Sequence, residues 1–341
     1  MGSIFLTGAS GYIGGQVLNE IIQNSPDQPI TLLLRDEHKA KLIRDKFKKV
    51  NVVIGDLDDD DLLEREASKA SIVLHLASAG HLKSVQSIHR GLKKRQASEP
   101  AYWIQVSGAS ALAAAELASP SFSPGSGSSD VFDDIEDASK FIKLLRDHKT
   151  RAVDNYILYV GSQEPSIETA LVFPPIIYGV GEGVTNQRSI QIPELARVTL
   201  ERGHGVRVGP GLNKWGNVHI RDLGRLFGAL VDATSKPKSD FKLWNKDGLY
   251  LTGVGEISFG EISEKVARTA VEQGFNTKDT VEELHKPDID TVLPHGSVIY
   301  GTNARSKARR AREHLGWTPR EESLEADIPN TVAIEAKRRQ N

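Results

Sequence analysis

A short apolar run that breaks into glycines and re-emerges as an amphipathic stretch constrains this chain more than any other feature. Ser3-Ile4-Phe5-Leu6-Thr7 leads into Gly8-Ala9-Ser10-Gly11-Tyr12-Ile13-Gly14-Gly15. Residues 16–22 follow with apolar side chains at 17, 18, 21 and 22, and Ile30-Thr31-Leu32-Leu33-Leu34 is a second apolar run. The periodicity predicts strand, tight turn, helix and strand, a βαβ unit of about 30 residues. Glycine is required at three points: Gly8 for the sharp turn, Gly11 for close approach of the backbone to a pyrophosphate, and Gly14 for close packing of helix on strand. The helix start then offers unpaired N–H groups and a partial positive charge to phosphate. Set between two strands, this spacing predicts a dinucleotide site rather than a plain glycine turn.

Composition removes other classes. The 341 residues carry 43 Lys and Arg against 45 Asp and Glu, a net charge of −2. That balance lacks the basic footprint of a nucleic-acid or anionic-membrane partner. The length suits one large domain or two. There is no cysteine, so disulfides, thiolate metal sites and cysteine nucleophiles are excluded. No apolar run approaches the roughly 20 residues needed to span a bilayer, and no signal peptide stands at the start. The expectation is a cytoplasmic protein with no metal and no membrane partner. The acidic run Asp58–Asp61 lacks the spacing of a calcium loop and reads as a helix start.

The spacing Thr7-Gly8-x-x-Gly11-Tyr12-Ile13-Gly14 resembles the nucleotide loop of the extended short-chain dehydrogenases/reductases, the group that includes sugar-nucleotide epimerases. The resemblance implies a doubly wound parallel α/β sheet (a Rossmann fold) with a smaller C-terminal α/β substrate-binding lobe. It implies cofactor contacts at Thr7, Gly8, Ser10, Gly11, Tyr12, Ile13 and Gly14. Val52-Val53-Ile54-Gly55-Asp56-Leu57 looks like the segment whose Asp and Leu flank the adenine, which adds Asp56 and Leu57. Ile72–Gly80 resembles the family strand whose small residues pass along the cofactor, which adds Leu76, Ala77 and Ser78; His75 within it reads as a packed core residue. At the end of the second strand stand Arg35 and, about a turn on, Lys39, and an arginine there suits the 2′-phosphate of NADP. NADP(H) is therefore expected over NAD(H), with Asp36 as the ribose carboxylate if the strand ends one residue later.

The strand Tyr102–Val106 ends at Ser107, where the family keeps a Ser or Thr bonded to the substrate oxygen; Ser110 is the second candidate. Ser119–Ser129 is rich in Ser, Pro and Gly and reads as a mobile loop. The family's Tyr-x-x-x-Lys pair should follow, with tyrosine near 145–147 and lysine near 149–150. The chain reads Leu145-Arg146-Asp147-His148-Lys149-Thr150, and none of its seven tyrosines has lysine four residues later. This resembles atypical family members that lack the standard pair. His148 and Lys149 become candidate proton donors, since histidine titrates near neutrality; His81 is a third.

Phe173–Gly181 resembles the family's RPxxVYGPG segment, with Phe173 where arginine is common, and implies Pro174 and Ile176 beside the nicotinamide. His81, Tyr178, Gln187 and Arg188 are the candidate substrate-binding residues. Trp215–Leu223 resembles the VHVDDLA segment, with Asp222 expected to cap a helix over 223–233, and Leu315-Gly316-Trp317-Thr318-Pro319 resembles the closing turn. The expected organisation is a nucleotide-binding domain over 1–175, rejoined by 206–235, and a lobe over 176–341 that includes the strand 249–252. The function so implied is NADP(H)-dependent oxidation or reduction of a small-molecule carbonyl or alcohol, in a possible homodimer, with a non-standard proton donor. The alternatives are a non-catalytic NADP(H) sensor and isomerase- or epimerase-type chemistry with a retained cofactor.

Overall fold

The computed structural model describes residues 2–96, 98–236 and 243–340. Among these residues, seven strands form the main sheet: β1 (Ile4–Thr7), β2 (Ile30–Leu34), β3 (Asn51–Ile54), β4 (Ile72–His75), β5 (Ala101–Val106), β6 (Ile167–Phe173) and β7 (Leu249–Leu251). They lie in the order β7-β6-β5-β4-β1-β2-β3, and every pairing is parallel. Parallel strands need crossovers, and the crossover helices cover both faces.

The apolar runs sort by alternation onto those faces. Phe5, Leu33, Val73, Trp103 and Leu171 point into one core, shared with helices α3 (Asp60–Lys69), α4 (Leu82–Lys93) and α6 (Ala152–Gln163). Ile4, Leu6, Leu32, Leu34, Ile72, Leu74 and Ile104 point into the other, shared with α1 (Tyr12–Asn24), α2 (Glu37–Lys46) and α8 (Ile220–Ala233). Helix α5 (Ala138–Asp147) precedes α6 and presents Phe141 and Leu145 to the first core. As expected from Asp58–Asp61, α3 begins in the acidic run, with the Asp59 carboxylate accepting from the Leu62 amide.

Five further strands among the described residues build a lobe, and Phe132–Asp133 pairs separately with Ser306–Lys307. Lys214–His219 lies between Ile176–Tyr178 and Gly255–Ser258, and Gly205–Val208 pairs with Val281–Leu284. Helices α7 (Gln191–Arg202), α9 (Phe259–Glu272) and α10 (Leu324–Gln340) pack around them. Two boundaries differ from expectation. Residues 205–208 belong to the lobe, so the chain returns to the main sheet through α8 rather than from 206. Residues 249–251 are the seventh strand of the main sheet, not part of the lobe. A three-residue apolar strand reads the same in either place; its partner β6 decides. Among the described residues, no helix is long and apolar enough to cross a membrane.

Candidate functional site

The glycine loop turns where β1 ends. Gly8 sits at φ +86°, and a Cβ there would stand 2.7 Å from the backbone of Leu76 and Ala77, just beyond β4. At Gly14 a Cβ would stand 2.2 Å from the Gly8 carbonyl oxygen. The loop is thus closed in by its own backbone, which leaves the α1 N-terminus open toward a cavity of about 530 Å3. The cavity runs along the carboxyl ends of β1 to β4, where strand order reverses and ligands bind in such sheets.

Eleven of the sixteen sequence candidates for the cofactor line this cavity: Thr7, Gly8, Ser10, Gly11, Arg35, Lys39, Asp56, Leu57, Leu76, Ala77 and Ser78. Tyr12, Ile13, Gly14, Pro174 and Ile176 do not line it. The Tyr12 hydroxyl donates to the Gly179 and Tyr178 carbonyls at 2.6 and 3.1 Å, so it ties α1 to the segment after residue 178. Burial raises its pKa. Gly14 acts through packing. The Pro174 carbonyl accepts from the Ala109 amide, and Ile176 is fully buried.

The end of β2 separates the two readings of Arg35 and Asp36. The Asp36 carboxylate caps α2, accepting from the Lys39 amide at 3.0 Å, and that bond holds its pKa below the usual value. Arg35 and Lys39 both border the cavity.

Beneath the loop lies a buried polar chain. His75 Nδ1 is 2.7 Å from Thr7 Oγ1, its Nε2 is 3.1 Å from Ser84 Oγ, and Ser84 Oγ donates to the His81 carbonyl at 2.9 Å. Since the Ser84 proton is committed, His75 carries its own on Nε2 and accepts from Thr7 at Nδ1. Complete burial pushes its pKa down to about 3. His75 is thus a neutral core residue, as its sequence context implies. The sign of its pH effect follows: neutral in the fold and chargeable once unfolded, it supports stability above pH 6.5 and withdraws that support as pH falls toward 3. Unfolding free energies from urea titrations across that range are expected to fall by up to about 1.4 kcal/mol per pH unit from this group, and His75→Gln should flatten the acid limb.

The substrate candidates are placed differently from expectation. His81 borders the nucleotide cavity instead; its Nδ1 accepts from the Ser84 amide at α4, and its Nε2 lies 3.5 Å from Asp58. Tyr178 is buried, and its hydroxyl donates to the Glu322 carbonyl at 2.8 Å. The Gln187 amide donates to Gly183, in its own loop. Arg188 is a correction: its guanidinium grips Glu335 at 2.9 and 3.0 Å and Glu194 at 2.7 Å, joining α10 to α7. A half-buried cation between two carboxylates has little charge left for a ligand. Asp222 is another correction: His219 caps α8, and the buried Asp222 carboxylate accepts from the Arg320 and Glu321 amides, pinning the C-terminal segment.

Ser107 leaves β5 with its hydroxyl engaged, though not by either expected donor. Arg151 Nη2 donates to Ser107 Oγ at 2.8 Å. The same guanidinium holds Asp154, three residues on, at 2.6–2.7 Å. The Asp154 side chain is 1% exposed, and its desolvation raises its pKa against the pull of Arg151 and of a hydrogen bond from Ser107. His148 turns its Nδ1 to the Leu144 carbonyl at 2.7 Å, and Lys149 is exposed. Ser110 is the middle residue of a short 3-10 turn at the strand exit. Arg151 is the residue that the sequence reading missed, one position past the expected lysine. Its signal was the i, i+3 Arg151–Asp154 pair at a helix start.

The Ser-rich loop is fastened rather than free. The Gly125 amide donates to Gly301 at 2.7 Å, the Leu212 amide to Gly125 at 2.8 Å, and the Asn303 side chain to Ser126 at 2.9 Å. Beside it a second cavity of about 350 Å3 is lined by Leu112, Glu116, Phe122, Phe132, Leu144 and Arg305, among others. It lies between the residues after β5 and the lobe.

Comparison with known proteins agrees with this geometry. Residues 8–124 match a sequence family described as NAD(P)H-binding. An oxidase, ucsJ, of an Acremonium species is 33% identical over 98% of both chains. An uncharacterized protein of Saccharomyces cerevisiae is 22% identical over 95% of this chain and 97% of its own. Among solved structures, the dTDP-glucose 4,6-dehydratase DesIV of Streptomyces venezuelae, with NAD bound, superposes with a TM-score of 0.68 at 15% identity, covering 99% of this chain and 98% of that one. The fold is shared.

Proposed function

We propose that this chain, which belongs to the family of the oxidase ucsJ and carries an NAD(P)H-binding segment, is an NADP(H)-dependent oxidoreductase of the extended short-chain dehydrogenase/reductase type acting on a small-molecule carbonyl or alcohol. One observation carries the NADP(H) part. Where β2 meets the cavity, the Asp36 carboxylate is spent on capping α2, while Arg35 and Lys39 border the space. Two cations there favour a 2′-phosphate over free ribose hydroxyls. Thr7, Ser10, Gly11 and the start of α1 would hold the pyrophosphate, Asp56 and Leu57 the adenine end, and Ala77 and Ser78 the path toward Ser107.

A bound nicotinamide supplies or accepts the hydride. The protein would orient the substrate, with Ser107 at the exit of β5 bonding its oxygen. The 33% identical oxidase supports redox turnover over epimerisation. The second reading, a non-catalytic NADP(H) sensor, is favoured by the lack of any Tyr-x-x-x-Lys.

Titration with NADPH and with NADH, followed by nicotinamide fluorescence, tests the cofactor. NADPH is expected to bind at least about tenfold tighter, a difference of about 1.4 kcal/mol, and Arg35→Ala should erase the preference. Equal affinity in the wild type would remove the NADP(H) reading. Oxidation of NADPH in the presence of a panel of aldehydes and ketones separates enzyme from sensor.

A further inference from the structure

We infer that Arg151, fixed by Asp154 and bonded to Ser107, takes over the role of the missing tyrosine–lysine pair, so that the Ser107 hydroxyl and the outer end of the Arg151 guanidinium together grip the substrate oxygen. This rests on the oxidoreductase reading above. Of the five N–H groups of Arg151, those on Nε and Nη2 point to Asp154 and Ser107. Its Nη1 has no hydrogen-bond or ion-pair partner among the described residues, and its side chain is 18% exposed. The guanidinium therefore presents a donor pair that is anchored at its other end and still reachable.

The anchoring is itself unusual. Asp154 is almost wholly buried, and hydrogen bonds from both Ser107 and Arg151 favour its charged form. Burying such a carboxylate is costly unless a cation is fixed beside it, so Asp154 is a positioning residue that sets Arg151 on Ser107. The site lies at the carboxyl end of β5, beside the strand whose exit lines the cofactor cavity.

The chemistry balances without tyrosine. When a hydride, with its electron pair, reaches the carbonyl carbon, the C=O π pair moves onto oxygen. The negative charge formed there faces a guanidinium that was already in place, which is the form of stabilisation that needs no reorganisation. The Ser107 O–H turns from Asp154 to the substrate oxygen, its Oγ–H bond breaks as an O–H bond forms there, and water returns a proton to Ser107. Oxidation of an alcohol runs through the same steps in reverse. Because arginine does not lose its proton below about pH 12, the grip is independent of pH over the ordinary range. A histidine or lysine donor would titrate within it.

Formate is a probe that needs no knowledge of the substrate: a planar oxyanion small enough for any cleft. Its binding is read by saturation-transfer NMR between pH 6 and 10, and NADPH is titrated against the same proteins. The wild type is expected to bind formate saturably, with the same affinity across that range. Arg151→Met should weaken it at least tenfold, Ser107→Ala several-fold, and Arg151→Lys should recover part of the loss. Arg151→Met strands Asp154, so Arg151→Met/Asp154→Leu, which removes both charges, carries the test if the single variant does not fold. His148→Gln and Lys149→Met should bind formate as the wild type does. No saturable binding, binding unchanged in the double variant, or affinity that falls with a titration near neutrality would each overturn the inference. NADPH binding without formate binding sinks this inference alone. Formate binding without NADPH binding sinks the oxidoreductase reading and leaves an anion site.

Discussion

Gly14→Val is expected to cost about 3 kcal/mol of stability and to weaken NADPH binding at least about 100-fold. A Cβ at this position stands 2.2 Å from the Gly8 carbonyl oxygen and 2.6 Å from the Gly8 carbonyl carbon. Both are backbone atoms, so no side chain can swing aside. To make room, α1 must move off the end of β1, and the N–H groups at its start then leave the position from which they meet phosphate. Gly80→Ala is the control. Nothing lies within 4 Å of a Cβ there and its φ is not positive, so its effect should stay within about 0.5 kcal/mol. Urea unfolding and fluorescence titration of the two variants give the comparison. Equal effects at the two positions would mean that the loop is not closed by its own backbone.

The second large effect is expected at Arg151. Arg151→Ala should destabilise the fold by about 3–5 kcal/mol, because it leaves the buried Asp154 without its cation. The loss should depend on pH, with a sign that follows from burial. Desolvation already raises the Asp154 pKa against Arg151, and without the arginine it climbs further. A carboxyl whose folded pKa lies above its unfolded value is tolerated protonated at low pH and becomes costly as pH rises through the folded value. The deficit of Arg151→Ala should therefore be larger at pH 8 than at pH 5. Asp154→Leu added to it should restore most of the loss and remove the pH dependence. A deficit that is the same at both values would show that Asp154 is solvated. Denaturant midpoints at the two pH values decide.

Most strands of the main sheet, the glycine loop and the start of α3 could be read in the sequence, because each depends on neighbours within a few residues. Leu32 and Leu33 belong to opposite faces by alternation alone, and Asp58–Asp61 starts a helix by local electrostatics. Much of the cavity lining was readable for the same reason: Gly8, Gly11, Arg35, Asp56 and Ala77 all follow directly on strands whose apolar runs announce them. The substrate residues were not. Nothing near Arg188 in the chain discloses Glu335, 147 residues away, and Asp222 meets its partners 98 and 99 residues on.

Arg151 shows the boundary best. Its pairing with Asp154 is local and stands open in the sequence. Its bond to Ser107 spans 44 residues and exists because the fold brings the start of α6 to the exit of β5. The sequence by itself determined a βαβ nucleotide loop, a parallel sheet buried on both faces, and the absence of a Tyr-x-x-x-Lys pair. The tertiary structure decided which charges are spent and which remain available. Asp36 is used on a helix cap, Arg188 on two carboxylates and Asp222 on two amides, whereas Arg35 borders the cavity and Arg151 reaches Ser107. Periodicity carries backbone geometry, which is local. The availability of a charge depends on which distant group neutralises it, and folding alone brings that group near.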